Sequence, residues 1–296
     1  MRACTSATLH EALSRAETRA SSSWWRVRHP VRWLRPSLCS VAHPVIRRCT
    51  LFTGQDIKVA VPEIVGKELY RFGYIEPGVT RVLLDCLRPG MVFFDVGAQY
   101  GYHTLVASLL VGEKGTIVAF EPGRTVRGLL LANTAHMRNV RIEAAALHAE
   151  SREMELTDFG IGYSALNTLL STARVPVSDQ PPVESARYLV PTTTVDEYIA
   201  QTGLLPDVVK IDAEGSEVDI LAGMRGLLAG ASPLVTLETG DYAHMESPAT
   251  TVAIDFLQDY GYQPLEYIHG LRPHRRRTSY GYDNLFFTKR RVTDSA

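Results

Sequence analysis

Four cysteines in 296 residues, none of them in paired spacing, exclude a disulfide framework and a CxxC zinc site. No run of about 18 apolar residues exists, so no segment reads as a membrane span. A net charge of −1 leaves no basic body of the kind a dedicated nucleic-acid binder carries. Tryptophan is absent after residue 33, and lysine is absent before residue 51. The first fifty residues hold Trp24, Trp25 and Trp33, three of the four cysteines (Cys4, Cys39, Cys49), nine arginines, and only Glu11 and Glu17 as acids. Nine minus two gives that stretch about +7, and the remaining 22 basic and 30 acidic residues give the rest about −8. The chain is therefore expected to divide into a basic Arg/Trp-rich extension at 1–50 and a domain at 51–296. With 45% hydrophobic residues, that domain is long enough to bury a full core. A reduced, cytoplasmic enzyme or binding domain remains.

The extension is rich in Arg, Ser and Ala and nearly free of acid, which is the composition of an organelle transit peptide if the source is a eukaryote. Arginines interleaved with Trp, Val and Leu over residues 24–48 would also suit peripheral contact with an anionic membrane. The plainer alternatives are a poorly ordered tail or a helix capping the catalytic domain. Pro30, Pro36 and Pro44 break any long helix.

From about residue 55, short apolar runs alternate with helical periodicity, the signature of βαβ units and a mainly parallel sheet. Strands are expected at 91–95, 116–120, 140–145, 208–212, 234–238, 262–267 and 284–288. Helices are expected at 79–87, 102–110, 125–137, 195–201, 217–228 and 250–260. Residues 152–157 and 187–192 alternate like an inserted hairpin. The fold class is α/β, a doubly wound sheet finished by a C-terminal antiparallel hairpin. Such sheets bind ligands at the carboxyl ends of their strands, where the strand order reverses.

The chemistry-bearing residues fall at those ends. The first strand of this unit runs Phe94-Asp95-Val96-Gly97-Ala98-Gln99-Tyr100-Gly101, an acid followed by glycines four apart. Gly97 permits a tight turn and Gly101 a close helix start. The pattern is not GxGxxG, and a carboxylate at the strand end opposes a diphosphate while suiting a cationic ligand. Glu121 ends the next strand, placed to hold two ribose hydroxyls. A nucleoside that carries a cation describes S-adenosylmethionine. Ala146 and Leu147, small and apolar, stand where an adenine would lie. In Lys210-Ile211-Asp212-Ala213-Glu214-Gly215, period two points Lys210, Asp212 and Glu214 at the mouth of the sheet. Ionisable groups there are costly unless paired or bound to something. The bland alternatives are helix capping by Asp95, Glu121 and Glu214, and a Lys210–Asp212 ion pair.

These strings resemble the FkbM-type methyltransferases. Phe94–Tyr102, Phe120-Glu121-Pro122, Thr193-Thr194-Val195-Asp196, Lys210–Glu217 and Asn284-Leu285-Phe286-Phe287 carry the likeness, over about residues 60–290. Gln99 stands where that family commonly has Asn. The resemblance implies a Rossmann-like class I methyltransferase that uses S-adenosylmethionine and methylates oxygen, such as a hydroxyl of a sugar or natural-product-like small molecule. Asp95, Gly97, Gln99, Gly101, Glu121, Ala146 and Leu147 are then the cofactor residues. Asp212 becomes the base or acceptor-orienting group, with Lys210 tuning it and Glu214 supporting the loop.

No metal ligand is assigned, although Asp212 with an added carboxylate such as Glu238 is a divalent-ion alternative. His103, His136, His148 and His244 are isolated, with His244 the alternative base. His274-Arg275-Arg276-Arg277 reads as a solvated turn or as a contact for an anionic acceptor. Acceptor specificity is expected from 152–193, 240–250 and 269–281. The competing functions are a nicotinamide-dependent oxidoreductase and a non-catalytic methyltransferase-like module working through its basic extension.

Overall fold

The computed structural model describes residues 5–22, 27, 29–34, 36, 39, 43–169, 185–240 and 249–289. Among the described residues, α1 (Ser6–Ser21) and α2 (Pro30–Leu34) precede the antiparallel hairpin of β1 (Val45–Thr50) and β2 (Asp56–Val61). That pairing crosses the compositional boundary at residue 50, because Val59, Ala60 and Val61 bury against the body while Arg48 is exposed on the partner strand. Helix α1 is docked rather than loose. Leu9, Leu13 and Ala16, spaced to share one helical face, are buried. Burial of each leucine contributes roughly 1.5–3 kcal/mol. Polar ties flank them: Ser6 Oγ donates to the Leu84 carbonyl at 2.7 Å, His10 meets Asp85 at 2.7 Å, and Arg81 pairs with Glu17. On α2, Trp33 lies under the Arg71 guanidinium, 4.3 Å from ring centroid to carbon.

Helices α3 (Ile64–Phe72) and α4 (Pro77–Cys86) lead into the parallel core: β3 (Val92–Val96), α5 (Tyr102–Val111), β4 (Thr116–Phe120), α6 (Arg124–Thr134) and β5 (Val140–Glu143). The expected strand 140–145 divides, since after β5 the chain leaves the main sheet. Two residues further on, β6 (Ala146–Leu147) pairs parallel with β8 (Ala186–Thr193), itself antiparallel to β7 (Glu153–Asp158). The inserted hairpin is thus present, with a 3-10 helix at Ile161–Leu166 after its first strand. Helix α7 (Val195–Thr202) starts on Thr194, whose hydroxyl accepts from the Glu197 amide at 3.0 Å.

After β9 (Val208–Ile211), the single helix expected at 217–228 is two, α8 (Glu217–Ala222) and α9 (Arg225–Gly230). The cause is local. A β-carbon on residue 223 would sit 2.1 Å from the His148 carbonyl oxygen, so the chain passes this point on a glycine. The Asp196 carboxylate then accepts from the Gly226 and Leu227 amides and starts a new helix. Strand β10 (Leu234–Thr239), α10 (Ala249–Asp259), β11 (Gln263–Tyr267), β12 (Leu271–Pro273) and β13 (Asp283–Thr288) complete the chain.

The main sheet has the order β12-β11-β13-β10-β9-β3-β4-β5. Its pairs from β10 to β5 are parallel, and β13, β11 and β12 add antiparallel. This is a Rossmann-like, doubly wound sheet with the antiparallel ending. Alternation along the strands feeds two cores: Phe93, Ile117 and Val208 face α4 and α5, whereas Phe94, Val118 and Val209 face α7 to α10. The strand order reverses between β3 and β9, and the site lies there. Among the described residues no helix is long and apolar enough to cross a membrane.

Candidate functional site

A cavity of about 720 Å³ opens over the carboxyl ends of β3, β4 and β9. The three loops that floor it are bonded to each other. Gly97 and Ala98 amides donate to the Phe120 carbonyl, at 3.1 and 3.2 Å, and the Asp212 amide donates to the Val96 carbonyl at 3.3 Å. Gly97 has φ +74, and a β-carbon there would stand 1.8 Å from the Asp212 carbonyl oxygen. Only glycine lets these two loops approach so closely.

Glu121 projects from the end of β4 with both oxygens fixed. Oε1 accepts from the Gly123 amide at 2.8 Å and Oε2 from the Gln99 amide at 2.9 Å. Burial pushes its carboxyl up to about 7, against the pull of those two amides. Each oxygen keeps a lone pair for a donor in the cavity. The Gln99 backbone takes φ +49 to make this contact, and its side-chain amide reaches the Ser164 hydroxyl at 3.3 Å. Ala146 and Leu147 form apolar wall near β4, and the 3-10 helix supplies the opposite side through Gly162, Tyr163, Ser164 and Leu166.

Gly97, Gln99, Glu121, Ala146, Leu147, Lys210, Asp212 and Glu214 all line the cavity, whereas Asp95 and Gly101 do not. Asp95 is 1% exposed and turned toward α5, where Oδ2 accepts from the Thr104 hydroxyl at 2.5 Å. That bond ties strand to helix beneath the loop, while Oδ1 is buried with no hydrogen-bond partner. Gly101 starts α5 in the left-handed region at φ +87, with Leu130 filling the space a β-carbon would need. Glu214 also has φ +47, and its carbonyl accepts from the Thr168 hydroxyl at 2.9 Å.

The far end of the cavity is acidic. Strand register explains it: Asp95, Lys210 and Thr236 lie in one row across β3, β9 and β10, and Glu238 faces Asn284 one period further on. Lys210, 2% exposed, places Nζ 2.7 Å from Asp212 Oδ2. Burial opposes the ammonium, but Asp212, Glu76 and Asp95 outweigh it and hold its pKa above the usual lysine value. Glu76, Asp212 and Glu238 each bring a carboxylate oxygen within 4.8 Å of the others. Burial raises the Glu76 and Glu238 carboxyls, Glu238 strongly, with the neighbouring acids adding to it. Asn284 Nδ2 donates to Glu76 Oε1 at 2.6 Å, and His103 Nε2 lies 3.6 Å from Glu76 Oε2. Burial, helped by Lys210, drops the His103 pKa well below the ordinary value, so the imidazole is neutral.

A model of the methyltransferase FkbM domain matches residues 95–264, more than half of the chain. The chain belongs to the FkbM methyltransferase family. It is similar to the hexuronic acid methyltransferase AglP of Haloferax volcanii, 24% identical over 155 residues, or 52% of this chain and 58% of that protein. The FkbM methyltransferase structure from Methylobacillus flagellatus KT shares 14% identity, with coverage of 89% of this chain and 59% of the other and a TM-score of 0.40. Fibrillarin of Aeropyrum pernix, solved with natively bound S-adenosyl-L-methionine, shares 12% identity, with coverage of 69% and 68% and a TM-score of 0.39. The chain thus spans less than two thirds of the length of AglP.

Several wall residues carry no sequence signal that separates them from ordinary structure. Glu76 precedes Pro77 and reads as a helix-start acid, yet it enters the cavity with φ +40. Glu63, 1% exposed, caps α3 through the Gly66 amide and accepts from the Tyr100 hydroxyl at 3.1 Å. Of the isolated histidines, His103 lines the cavity, His148 pairs with Asp219 at 3.4 Å, His136 is exposed, and His244 lies outside the described residues. The basic cluster is engaged elsewhere: Arg276 binds Asp255, Arg277 binds Glu266, and His274 meets the Tyr280 hydroxyl at 2.9 Å. None of residues 274–277 lines the cavity.

Proposed function

We propose that this chain is an S-adenosylmethionine-dependent O-methyltransferase acting on a hydroxyl of a sugar or a natural-product-like small molecule. The observation that carries the reading is Glu121, pinned by two backbone amides with its free lone pairs on the cavity. A carboxylate so held suits two vicinal hydroxyls of a ribose. Ala146 and Leu147 then border the adenine. The acidic end around Asp212 favours the donor's sulfonium over a diphosphate, which disfavours a nicotinamide cofactor. The sugar-acid methyltransferase relative supports a glycosidic acceptor.

Transfer is an in-line displacement. An acceptor oxygen lone pair forms the new O–C bond, and the C–S electron pair returns to sulfur, leaving a neutral thioether. The hydroxyl proton goes to the Asp212 carboxylate, whose orientation Lys210 fixes. Most of the acceleration comes from holding oxygen, methyl carbon and sulfur in line. Calorimetry of the full chain with S-adenosylmethionine and S-adenosylhomocysteine tests the cofactor, with Glu121→Ala alongside. Binding that the variant loses is the expected result, and no binding by the folded wild type would overturn the reading. Transfer of a labelled methyl group to a panel of glycosides and uronic acids then identifies the acceptor.

A further inference from the structure

We infer that Glu76, Asp212 and Glu238 form a divalent-cation site at the acceptor end of the cavity. Their oxygens lie within 4.8 Å of one another. Oxygens around one hard cation lie at most twice the metal–oxygen distance apart, roughly 4–5 Å, so this spacing is of the size that closes on a shared ion. Carboxylates crowded beside the single Lys210 ammonium disfavour one another's charge, and a divalent ion would offset that charge. An all-carboxylate donor set selects Mg²⁺, Mn²⁺ or Ca²⁺ over softer metals.

Two further observations point into this cluster. His103 is 5% exposed, and its Nε2 makes no hydrogen bond although it faces Glu76 Oε2 at 3.6 Å. The Glu238 Oε2 atom is likewise sealed from water with no hydrogen-bond partner. Groups held this way in a protein interior have a missing partner. The surrounding bonds also match what an ion site needs, because ligating carboxylates are normally oriented by a second layer of donors. Asn284 holds Glu76 Oε1, Lys210 holds Asp212 Oδ2, and His103 stands beside the other oxygen of Glu76. The strands set the three acids in place: Glu238 ends β10, Asp212 follows β9, and Glu76 comes from the start of α4 across the cavity.

Three protein ligands leave coordination positions open, and the cavity is where they open. The ion would hold the acceptor hydroxyl and lower its pKa, so that with the ion bound Asp212 acts as its ligand and orients the acceptor while the proton passes to solvent. That role rests on the methyl-transfer reading, but binding of the ion does not.

The test uses full-length protein stripped with EDTA and titrated with Mn²⁺, read by electron paramagnetic resonance and calorimetry, with and without S-adenosylhomocysteine. One Mn²⁺ per chain is expected, with Mg²⁺ competing. Glu238→Gln and Glu76→Gln should each weaken it by about 10–100-fold. Glu238→Gln should leave S-adenosylhomocysteine affinity unchanged, which also shows that it folds. The site is refuted if wild-type protein that unfolds cooperatively takes no Mn²⁺ up to about 1 mM. It is equally refuted if Glu238→Gln binds Mn²⁺ as the wild type does. Mn²⁺ binding without S-adenosylhomocysteine binding would sustain the ion site and remove the methyl-transfer reading.

Discussion

The carbonyl oxygen of Asp212 occupies the space a β-carbon on Gly97 would need, 1.8 Å from that position. The loop expected to cradle the cofactor and the loop that carries Asp212 are thereby locked in one arrangement.

Gly97→Ala should break that arrangement. Residue 97 also sits at φ +74, so the new methyl group meets both a steric clash and an unfavourable backbone region. A displacement of about 1 Å between the loops is enough to cost about a hundredfold in turnover. Calorimetry with S-adenosylhomocysteine should show the loss in binding. Wild-type affinity in the variant would mean that the contact is not required.

Glu121 gives the cofactor a pH dependence of definite sign. Its carboxyl titrates at about 7 in the free protein because burial disfavours the charge. On the proposed reading ribose hydroxyls donate to the carboxylate, so the ionised form is the one that binds. Affinity should be full above that pH and fall by roughly tenfold per unit below it. In Glu121→Gln the same titration should be flat. A wild-type profile with no change between acid and alkaline buffer would separate Glu121 from the ligand.

Asp212→Asn keeps the shape of the side chain and removes its charge. Turnover on the identified acceptor should drop by about 10²–10⁴ while S-adenosylhomocysteine affinity stays put. Full turnover in the variant would take Asp212 out of the chemistry.

Helix α1 supplies a stability prediction remote from the cavity. Leu13 is fully buried, and Leu13→Ala should lower the unfolding free energy by about 2–5 kcal/mol in urea titration. A change below 0.5 kcal/mol, within the range of ordinary surface substitutions, would mean that α1 does not hold its docked position.

The parallel core was legible because its strands are short continuous apolar runs around Phe93-Phe94, Ile117-Val118 and Val208-Val209, and because acids and glycines punctuate their ends. Thr194 and Glu197 mark the start of α7 in the same direct way. Glu76 was not legible. An acid before a proline at a helix start is ordinary, and only the tertiary fold carries it over to Asp212 and Glu238. Asp95 is a different case. Its place at a strand end suits a ligand contact, but the side chain's direction is set by Thr104, nine residues on and one helix turn into α5. The break between α8 and α9 escaped notice because Gly223 alone reads as a tolerated helical glycine, and its neighbour His148 is distant in sequence.

Leu9 and Leu13 have one more consequence. An import receptor that reads an amphipathic presequence must grip the same apolar stripe that α1 presses into α3 and α4. The two engagements are mutually exclusive in time. If the arginine-rich segment serves as an address, it has to be read on the nascent or unfolded chain. Folding then hides the label by turning it into a wall of the protein.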